Sequence, residues 1–296
     1  MIWLVGNKGM LGTELSMALA AAGLEFSGTG RDVDILDPRA IGAFAAGKRI
    51  EWIVNCAAYT AVDRAEDEAE LCRAVNADGP ENLARAASAS GAKILHVSTD
   101  YVFDGSGKEP YREDDLVSPA GVYGRSKAEG EERVASSCPE RVILRSAWLY
   151  GRHGPNFVYT MLKLMEAKER IGVVADQAGT PTYARDLAAA IVAILRAPRT
   201  VYGTFHYTDL GETNWHAFAL AIRRLGRESG ILERDCLVEP LTTAQYPSKA
   251  KRPAYSVLCK DKIVAAYGLE IPAWEESLSA FIGELARAPA AGRPWA

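Results

Sequence analysis

Seven residues, Gly6-Asn7-Lys8-Gly9-Met10-Leu11-Gly12, constrain the fold of this chain more than any other segment. They follow a short apolar run, Ile2 to Val5, and open a stretch in which Leu11, Leu15, Ala18, Leu19 and Ala22 recur at helical spacing until Gly23 closes it. A strand that turns through glycines straight into a helix presents backbone N–H groups and the positive end of the helix dipole to an anion. The glycines let the backbone turn tightly and come close to a pyrophosphate. The spacing is Gly-x-x-Gly-x-x-Gly, a weak motif by itself, and its place between strand and helix makes dinucleotide binding a better reading than an ordinary turn. Gly6, Gly9, Met10, Leu11 and Gly12 are the expected contacts.

The first half of the chain repeats this alternation. Trp52 to Asn55, Lys93 to Ser98 and Val142 to Arg145 read as further buried strands between amphipathic helices. Strand, helix, strand in repetition predicts an α/β protein with a Rossmann-type doubly wound parallel sheet and right-handed crossovers. After about Tyr150 the rhythm loosens, although helices remain legible at Leu187, Ala190, Ile191, Ile194 and Leu195 and at Trp274, Leu278, Phe281, Ile282 and Leu285. We therefore expect a dinucleotide-binding domain over 1–150, with further segments from about 175–205. A smaller, partly discontinuous C-terminal substrate-binding lobe is expected to take most of 151–296. The tail Ala288 to Ala296, with Pro289, Gly292 and Pro294, is expected to fray.

Composition excludes several classes. A formal charge of −4 is the wrong sign for a chain that neutralises many phosphates, so no nucleic-acid partner is expected. Five cysteines, Cys56, Cys72, Cys138, Cys236 and Cys259, are scattered and never form Cys-x-x-Cys, which suggests neither a disulfide framework nor a zinc site and fits a reducing compartment. The opening apolar run is too short for a signal peptide, and no later stretch approaches the ~20 apolar residues that span a bilayer. A cytoplasmic protein without a membrane partner is the expectation.

Cofactor choice turns on the end of the second strand, near Thr29 and Gly30, where an acidic residue takes the ribose 2′-OH of NAD and a basic one meets the 2′-phosphate of NADP. The first charge there is Arg31, which favours NADPH, while Asp32 and Asp34 follow at once and leave NADH possible. The third strand runs into Asn55-Cys56-Ala57-Ala58-Tyr59, whose small residues permit a ligand to approach at the same rim.

Tyr123 and Lys127 stand at i and i+4 and hence on one helix face. A neighbouring cation favours the phenolate, so the pair predicts a Tyr pKa lowered toward the working pH and a proton exchanged with a carbonyl oxygen. Tyr159 and Lys163 form a second copy of the spacing. Topology separates the two: the fourth strand ends in Ser98-Thr99-Asp100 at the rim just before the helix carrying Tyr123, so that a hydroxyl from Ser98 or Thr99 shares a site with it. Tyr159 follows no such strand and is assigned to a helix surface, with Lys163 its solvated neighbour. His96 lies within a strand and reads as a hydrogen-bonded core imidazole. The run Asp63-Arg64-Ala65-Glu66-Asp67-Glu68 reads as a solvated helix start.

Taken in order along the chain, several of these stretches resemble the extended short-chain dehydrogenase/reductases, and within them the dTDP-4-dehydrorhamnose reductase family. The resemblance covers Gly6 to Gly12, Asn55 to Asp63, Ser98 to Gly105, Val122 to Lys127, Arg145 to Tyr150, Asp176 to Thr182, and Arg252-Pro253. It implies NAD(P)H-dependent reduction of the C4 ketone of dTDP-4-dehydro-β-L-rhamnose to dTDP-β-L-rhamnose. It also implies roles: Tyr123 as proton donor, Lys127 on the nicotinamide ribose, and Thr99 on the reacting oxygen. Asp34, Ile35, Ala57, Ala58 and Tyr59 would join the glycine loop and Arg31 around the cofactor. Val62, Asp100, Tyr101 and Trp148 would line the sugar pocket, with Asn156, Gln177 and Arg252 toward the nucleoside diphosphate. Some members dimerise through a metal-bound carboxylate cluster. Here Glu14 matches one carboxylate but Arg185 stands where another is expected, so we expect no metal site and a monomer or weak homodimer. Rival readings are a reductase or epimerase of another nucleotide-linked sugar, and a non-catalytic NADP-binding regulatory subunit similar to the β subunit of methionine adenosyltransferase.

Overall fold

The computed structural model describes residues 1–287, so the expectation of a frayed tail lies outside the described residues. From the N-terminus run β1 (Ile2–Val5), α1 (Met10–Ala21), β2 (Phe26–Thr29), α2 (Pro38–Ala45) and β3 (Trp52–Asn55). Two short helices, α3 (Val62–Ala65) and α4 (Ala69–Arg73), then pass through a π-helical turn (Ala74–Asp78) into α5 (Gly79–Ser90). β4 (Lys93–Thr99), a 3₁₀ turn (Asp100–Val102), α6 (Val122–Ser137) and β5 (Arg141–Ser146) complete the first half. The second half holds β6 (Leu149–Tyr150), α7 (Phe157–Ala167), β7 (Arg170–Val174), β8 (Ala178–Gly179), β9 (Thr182–Tyr183), α8 (Ala184–Arg196) and β10 (Gly203–His206). It ends with β11 (Thr213–Asn214), α9 (Trp215–Glu228), β12 (Leu237–Leu241), α10 (Asp261–Tyr267) and α11 (Trp274–Arg287).

Six strands form one parallel sheet in the order β10-β5-β4-β3-β1-β2. The inner strands β1 and β3 are buried along their whole length because helices cover both faces. In β1, Ile2 and Leu4 join Leu15 and Leu19 of α1 and Leu187 and Ile191 of α8 in one core. Trp3 and Val5 point the other way, into a core with Ile41 of α2, Leu83 of α5 and Val134 of α6. Trp3, Leu4 and Val5 are at most 1% exposed, and a fully buried side chain of this kind contributes about 1.5–3 kcal/mol. A third core, built on Tyr150, Leu162, Phe218, Trp274 and Phe281, holds α7, α9 and α11 together.

The order reverses between β1, which leads to β2, and β3, which pairs on the other edge of β1; ligands of open α/β sheets bind at such a switch. α6 is brought close to this point by two glycines. A Cβ at Gly124 would lie 2.2 Å from the Tyr101 carbonyl oxygen, and one at Gly130 would lie 2.0 Å from that of Asn76. Its first turn is capped from afar, because Gly121 at the N-cap has no side chain and Glu66 Oε1 accepts from Val122 N–H at 2.9 Å. Among the described residues no helix is long and apolar enough to cross a membrane.

Candidate active site

The glycine loop has the geometry that its position predicts. Gly6 has φ +81° and packs so tightly on the segment after β3 that a Cβ would lie 2.7 Å from Ala57 N, while a Cβ at Gly12 would lie 2.1 Å from Gly6 O. Gly9 is the N-cap of α1 and supplies no side-chain cap, which leaves the first N–H groups of the helix facing the rim. At the end of β2, Arg31 is exposed. Asp32 and Asp34 each accept a backbone N–H, from Gly30 at 2.7 Å and Leu36 at 2.9 Å. Both carboxylates thus shape the turn beside Arg31. Ile35, further along it, is buried against Gly79.

Ala57, Ala58 and Tyr59 lie half-buried after β3 and are held by a residue that sequence reasoning missed. Asn76, in the π-helical turn, accepts from Tyr59 N–H at 2.9 Å and donates to Tyr59 O at 3.1 Å and to Ser126 Oγ at 3.0 Å. One buried amide therefore ties the loop to α6. Its only sequence signal is a polar residue on an otherwise apolar helix face. The acidic run 63–68 also departs from its reading as a solvated helix start. Asp63 binds Arg252 at 2.9 Å, Glu66 caps α6, and Glu68 accepts from Tyr59 OH at 2.7 Å. The reason is tertiary: α6 and the 249–252 segment close over α3 and supply donors that the local sequence does not reveal.

Tyr123, Lys127 and Thr99 come together in the interior, at 9%, 1% and 6% exposure. Thr99 lies beside Tyr123, and the Tyr101 ring stands edge-on to Tyr123 with centroids 5.4 Å apart. Thr99 Oγ1 donates to Asp100 Oδ1 at 2.9 Å, whereas the hydroxyl of Ser98 has no partner among the described residues. The expected lowering of the tyrosine pKa is not found. Burial is the largest effect and raises Tyr123 above the ordinary phenol value, only partly offset by the contact with Thr99. The group holds its proton. Burial pulls Lys127 down to about 8, opposed by Glu131, Cys72 and Cys56, and pushes Asp100 up to about 6.

The second Tyr and Lys copy lies elsewhere. Lys163 is exposed as expected, but Tyr159 is not on a surface: it is 6% exposed, packs on Phe281 in the core of the second half, and donates to Arg152 O at 2.9 Å. α11 covers that helix face, which the local spacing could not show. Tyr159→Phe should leave turnover unchanged and lower stability by about 0.5–1.5 kcal/mol, the worth of one hydrogen bond, read from a urea melt.

The segment after β5 carries the least comfortable backbone. Trp148 has φ +48°, a region that non-glycine residues avoid, and its ring stacks on Trp215 with centroids 3.6 Å apart at 11°. Gly179 lies beneath it, where a Cβ would be 2.5 Å from the indole. Trp215, at the start of α9, is a second aromatic that the sequence reading missed. Asp100 and Tyr101 are set against Ser256 and Arg252 respectively, and Val62 packs beside Tyr123. Gln177 donates to Thr243 Oγ1 at 3.0 Å. Asn156 is the N-cap of α7: it accepts from Tyr159 N–H at 3.1 Å and donates to Gly151 O at 2.8 Å, so much of its amide is engaged in holding the chain turn.

Comparison with known proteins decides what this arrangement belongs to. Residues 1–287 match the family model described as RmlD substrate binding domain. A dTDP-4-dehydrorhamnose reductase from Aggregatibacter actinomycetemcomitans is 40% identical over 93% of this chain and 96% of its own. The chain belongs to the dTDP-4-dehydrorhamnose reductase family. A family structure from Bacillus anthracis, solved in complex with NADP, superposes with a TM-score of 0.90 at 35% identity, covering 96% of this chain and 98% of that one. A probable dTDP-4,6-dihydroxy-2-methyloxan-3-one 4-ketoreductase from Streptomyces antibioticus is 42% identical over 88% of both chains.

Within this family member, Glu14 sits on the buried face of α1 at 3% exposure. Arg185 Nε lies 3.8 Å from Glu14 Oε2, and its guanidinium also binds both carboxylate oxygens of Glu284. A cation thus lies between the two carboxylates.

Proposed function

We propose that this chain reduces the C4 ketone of dTDP-4-dehydro-β-L-rhamnose to dTDP-β-L-rhamnose with NADPH. The observation that carries the reading is one rim: Thr99 and the Tyr123 and Lys127 pair stand beside a glycine loop too tight for side chains, in a chain that matches these reductases throughout its described length. The residues present fit the cofactor. Gly6, Gly9, Met10, Leu11 and Gly12 would hold its pyrophosphate, Ala57, Ala58 and Tyr59 its nicotinamide side, and Asp34, Ile35 and Arg31 its adenosine end, where the Arg31 fork meets a 2′-phosphate. NADPH, when bound, supplies the hydride.

The protein supplies the proton and the alignment. Tyr123 Oη, kept protonated by burial, gives its proton to the oxygen that gains charge, and the Thr99 hydroxyl donates a hydrogen bond to the same oxygen. Lys127, anchored through Nζ to Val97 O at 2.7 Å, holds the nicotinamide ribose. Trp148 covers the apolar face of the deoxysugar, with Val62, Asp100 and Tyr101 around it. Gln177 and Arg252 meet the diphosphate, and Asn156 shapes the wall behind them. We assign this sugar side to a lobe formed mostly after residue 150, and Arg185 between Glu14 and Glu284 favours a monomer or weak homodimer without a shared metal.

The test mixes purified protein, NADPH and freshly made dTDP-4-dehydrorhamnose and follows the nicotinamide absorbance; no consumption of cofactor overturns the reading. The Streptomyces antibioticus relative favours a second reading, another dTDP-linked keto sugar, and a higher kcat/KM for such a sugar would establish it. Arg31→Ala should cost NADPH roughly tenfold in kcat/KM, the worth of a hydrogen bond to a charged group, and leave NADH unchanged.

A further inference from the structure

The tryptophan placed against the sugar has no free face. On one side the indole of Trp148 stacks on Trp215, with centroids 3.6 Å apart at 11°. On the other, a Cβ at Gly179 would lie 2.5 Å from Trp148 Cε2 and 2.6 Å from Cζ2, so only a glycine leaves room for the ring. Both walls come from one short ribbon: Thr213 of β11 stands opposite Gly179 of β8, and Trp215 follows β11 at once as the first residue of α9. The slot adjoins the reacting groups. Trp148 comes just after Ser146, the sheet partner of Thr99, and the Ser256 hydroxyl, 2.8 Å from the same Gly179 Cβ position, is set against Asp100.

The two rings are not held alike. Trp148 keeps φ +48°, a backbone that a non-glycine residue holds only where its surroundings force it. Gly179 beneath the ring and the Trp148 carbonyl, which accepts from Thr182 N–H at 3.2 Å, supply that constraint. Trp215 is half-buried, and no hydrogen bond among the described residues fastens its indole N–H, whereas Trp3 Nε1 donates to Thr29 Oγ1 at 2.9 Å. Ring contacts to Trp148, Phe157 and Phe218 hold it instead. Of the two walls of the slot, the indole is the one that can turn aside.

We propose, on the basis of the reduction and the sugar contact given above, that Trp215 is a specificity-determining residue. It covers the Trp148 face that the sugar takes, and it turns away about its side-chain bonds when a deoxysugar replaces it. Trp215 thereby sets a threshold, because a ligand stacks on Trp148 only when it gains more there than the second indole does. The C–H groups and C6 methyl of a 6-deoxysugar bury against the ring without losing hydration. A C6 hydroxyl turned to the same face gives up water that an indole face does not replace, so Trp215 stays closed. Discrimination then comes from a competing contact as well as from an attractive one.

Two indoles stacked this closely couple their transitions and give an exciton couplet in far-ultraviolet circular dichroism. Theirs is the one indole pair in ring contact among the described residues, and Trp215→Phe assigns the signal. In the full chain with NADP⁺ bound, dTDP-β-L-rhamnose is expected to abolish the couplet. dTDP, which brings no sugar, and dTDP-glucose, which carries the C6 hydroxyl, should bind and leave it. By calorimetry Trp215→Ala is expected to bind dTDP-β-L-rhamnose about two- to tenfold more tightly, the worth of one aromatic pair, and dTDP as before. A couplet that survives bound dTDP-β-L-rhamnose, or one lost to dTDP or dTDP-glucose, would overturn the role of Trp215 and leave the reduction standing. So would a Trp215→Ala affinity that falls for the rhamnosyl nucleotide while that for dTDP holds. Absence of calorimetric binding by all three nucleotides in the wild type would remove the substrate assignment and the proposal with it. Should Trp215→Ala not fold, the wild-type couplet decides.

Discussion

Tyr123→Phe is expected to lower turnover by about 10²- to 10⁴-fold while NADPH still binds, the loss typical of a removed acid or base. The change deletes one oxygen, in contact with Thr99, from a ring held by packing against Val62 and Tyr101. The ring therefore stays in place, and the oxygen that receives the hydride's charge lacks a proton donor. Single-turnover kinetics with bound NADPH, set beside fluorescence titration of the cofactor, separate this from lost binding. Wild-type turnover in the variant would remove Tyr123 from the mechanism and leave the Thr99 hydroxyl as the donor.

Glu131→Ala should destabilise the fold by about 3–5 kcal/mol, a large part of the ~5–15 kcal/mol that holds a domain together. Arg145 of β5 donates to Glu131 from Nε at 3.0 Å and from Nη2 at 2.7 Å, with side chains only 4% and 8% exposed. Removing the carboxylate leaves a buried guanidinium without its counter-charge, and that exposed imbalance, rather than the attraction itself, makes the loss large. The double replacement Glu131→Leu with Arg145→Met should recover most of the stability because no charge stays buried. Urea melts of the three proteins decide the matter, and equal losses in the single and double variants would contradict it.

Both predictions concern α6, and they divide between what was legible in the sequence and what was not. The i, i+4 spacing put Tyr123 and Lys127 on one face, and the strand ending at Thr99 selected that pair over Tyr159 and Lys163. The direction of the Tyr123 shift was not legible. A cation at i+4 argues for a lowered value, but burial outweighs it, and burial depends on Tyr101, Thr99 and Val62 arriving from other elements. The same holds for Tyr159, whose partner Phe281 lies more than a hundred residues away.

What the sequence alone determined was periodic or local: strands read from apolar runs, helices from 3.6-residue spacing, and a tight turn from glycines between a strand and a helix. Such features depend on a residue's near neighbours, so they survive without a fold. The tertiary structure decided the rest. It placed Asn76 as a clip between loop and helix and turned Glu66 into the cap of α6. It stacked Trp148 on Trp215 and set the Asn55 side chain between the Ala57 N–H and the His96 ring. Each of these is a choice of hydrogen-bond or packing partner made across tens of residues, and a buried polar group takes whichever partner the fold brings within reach.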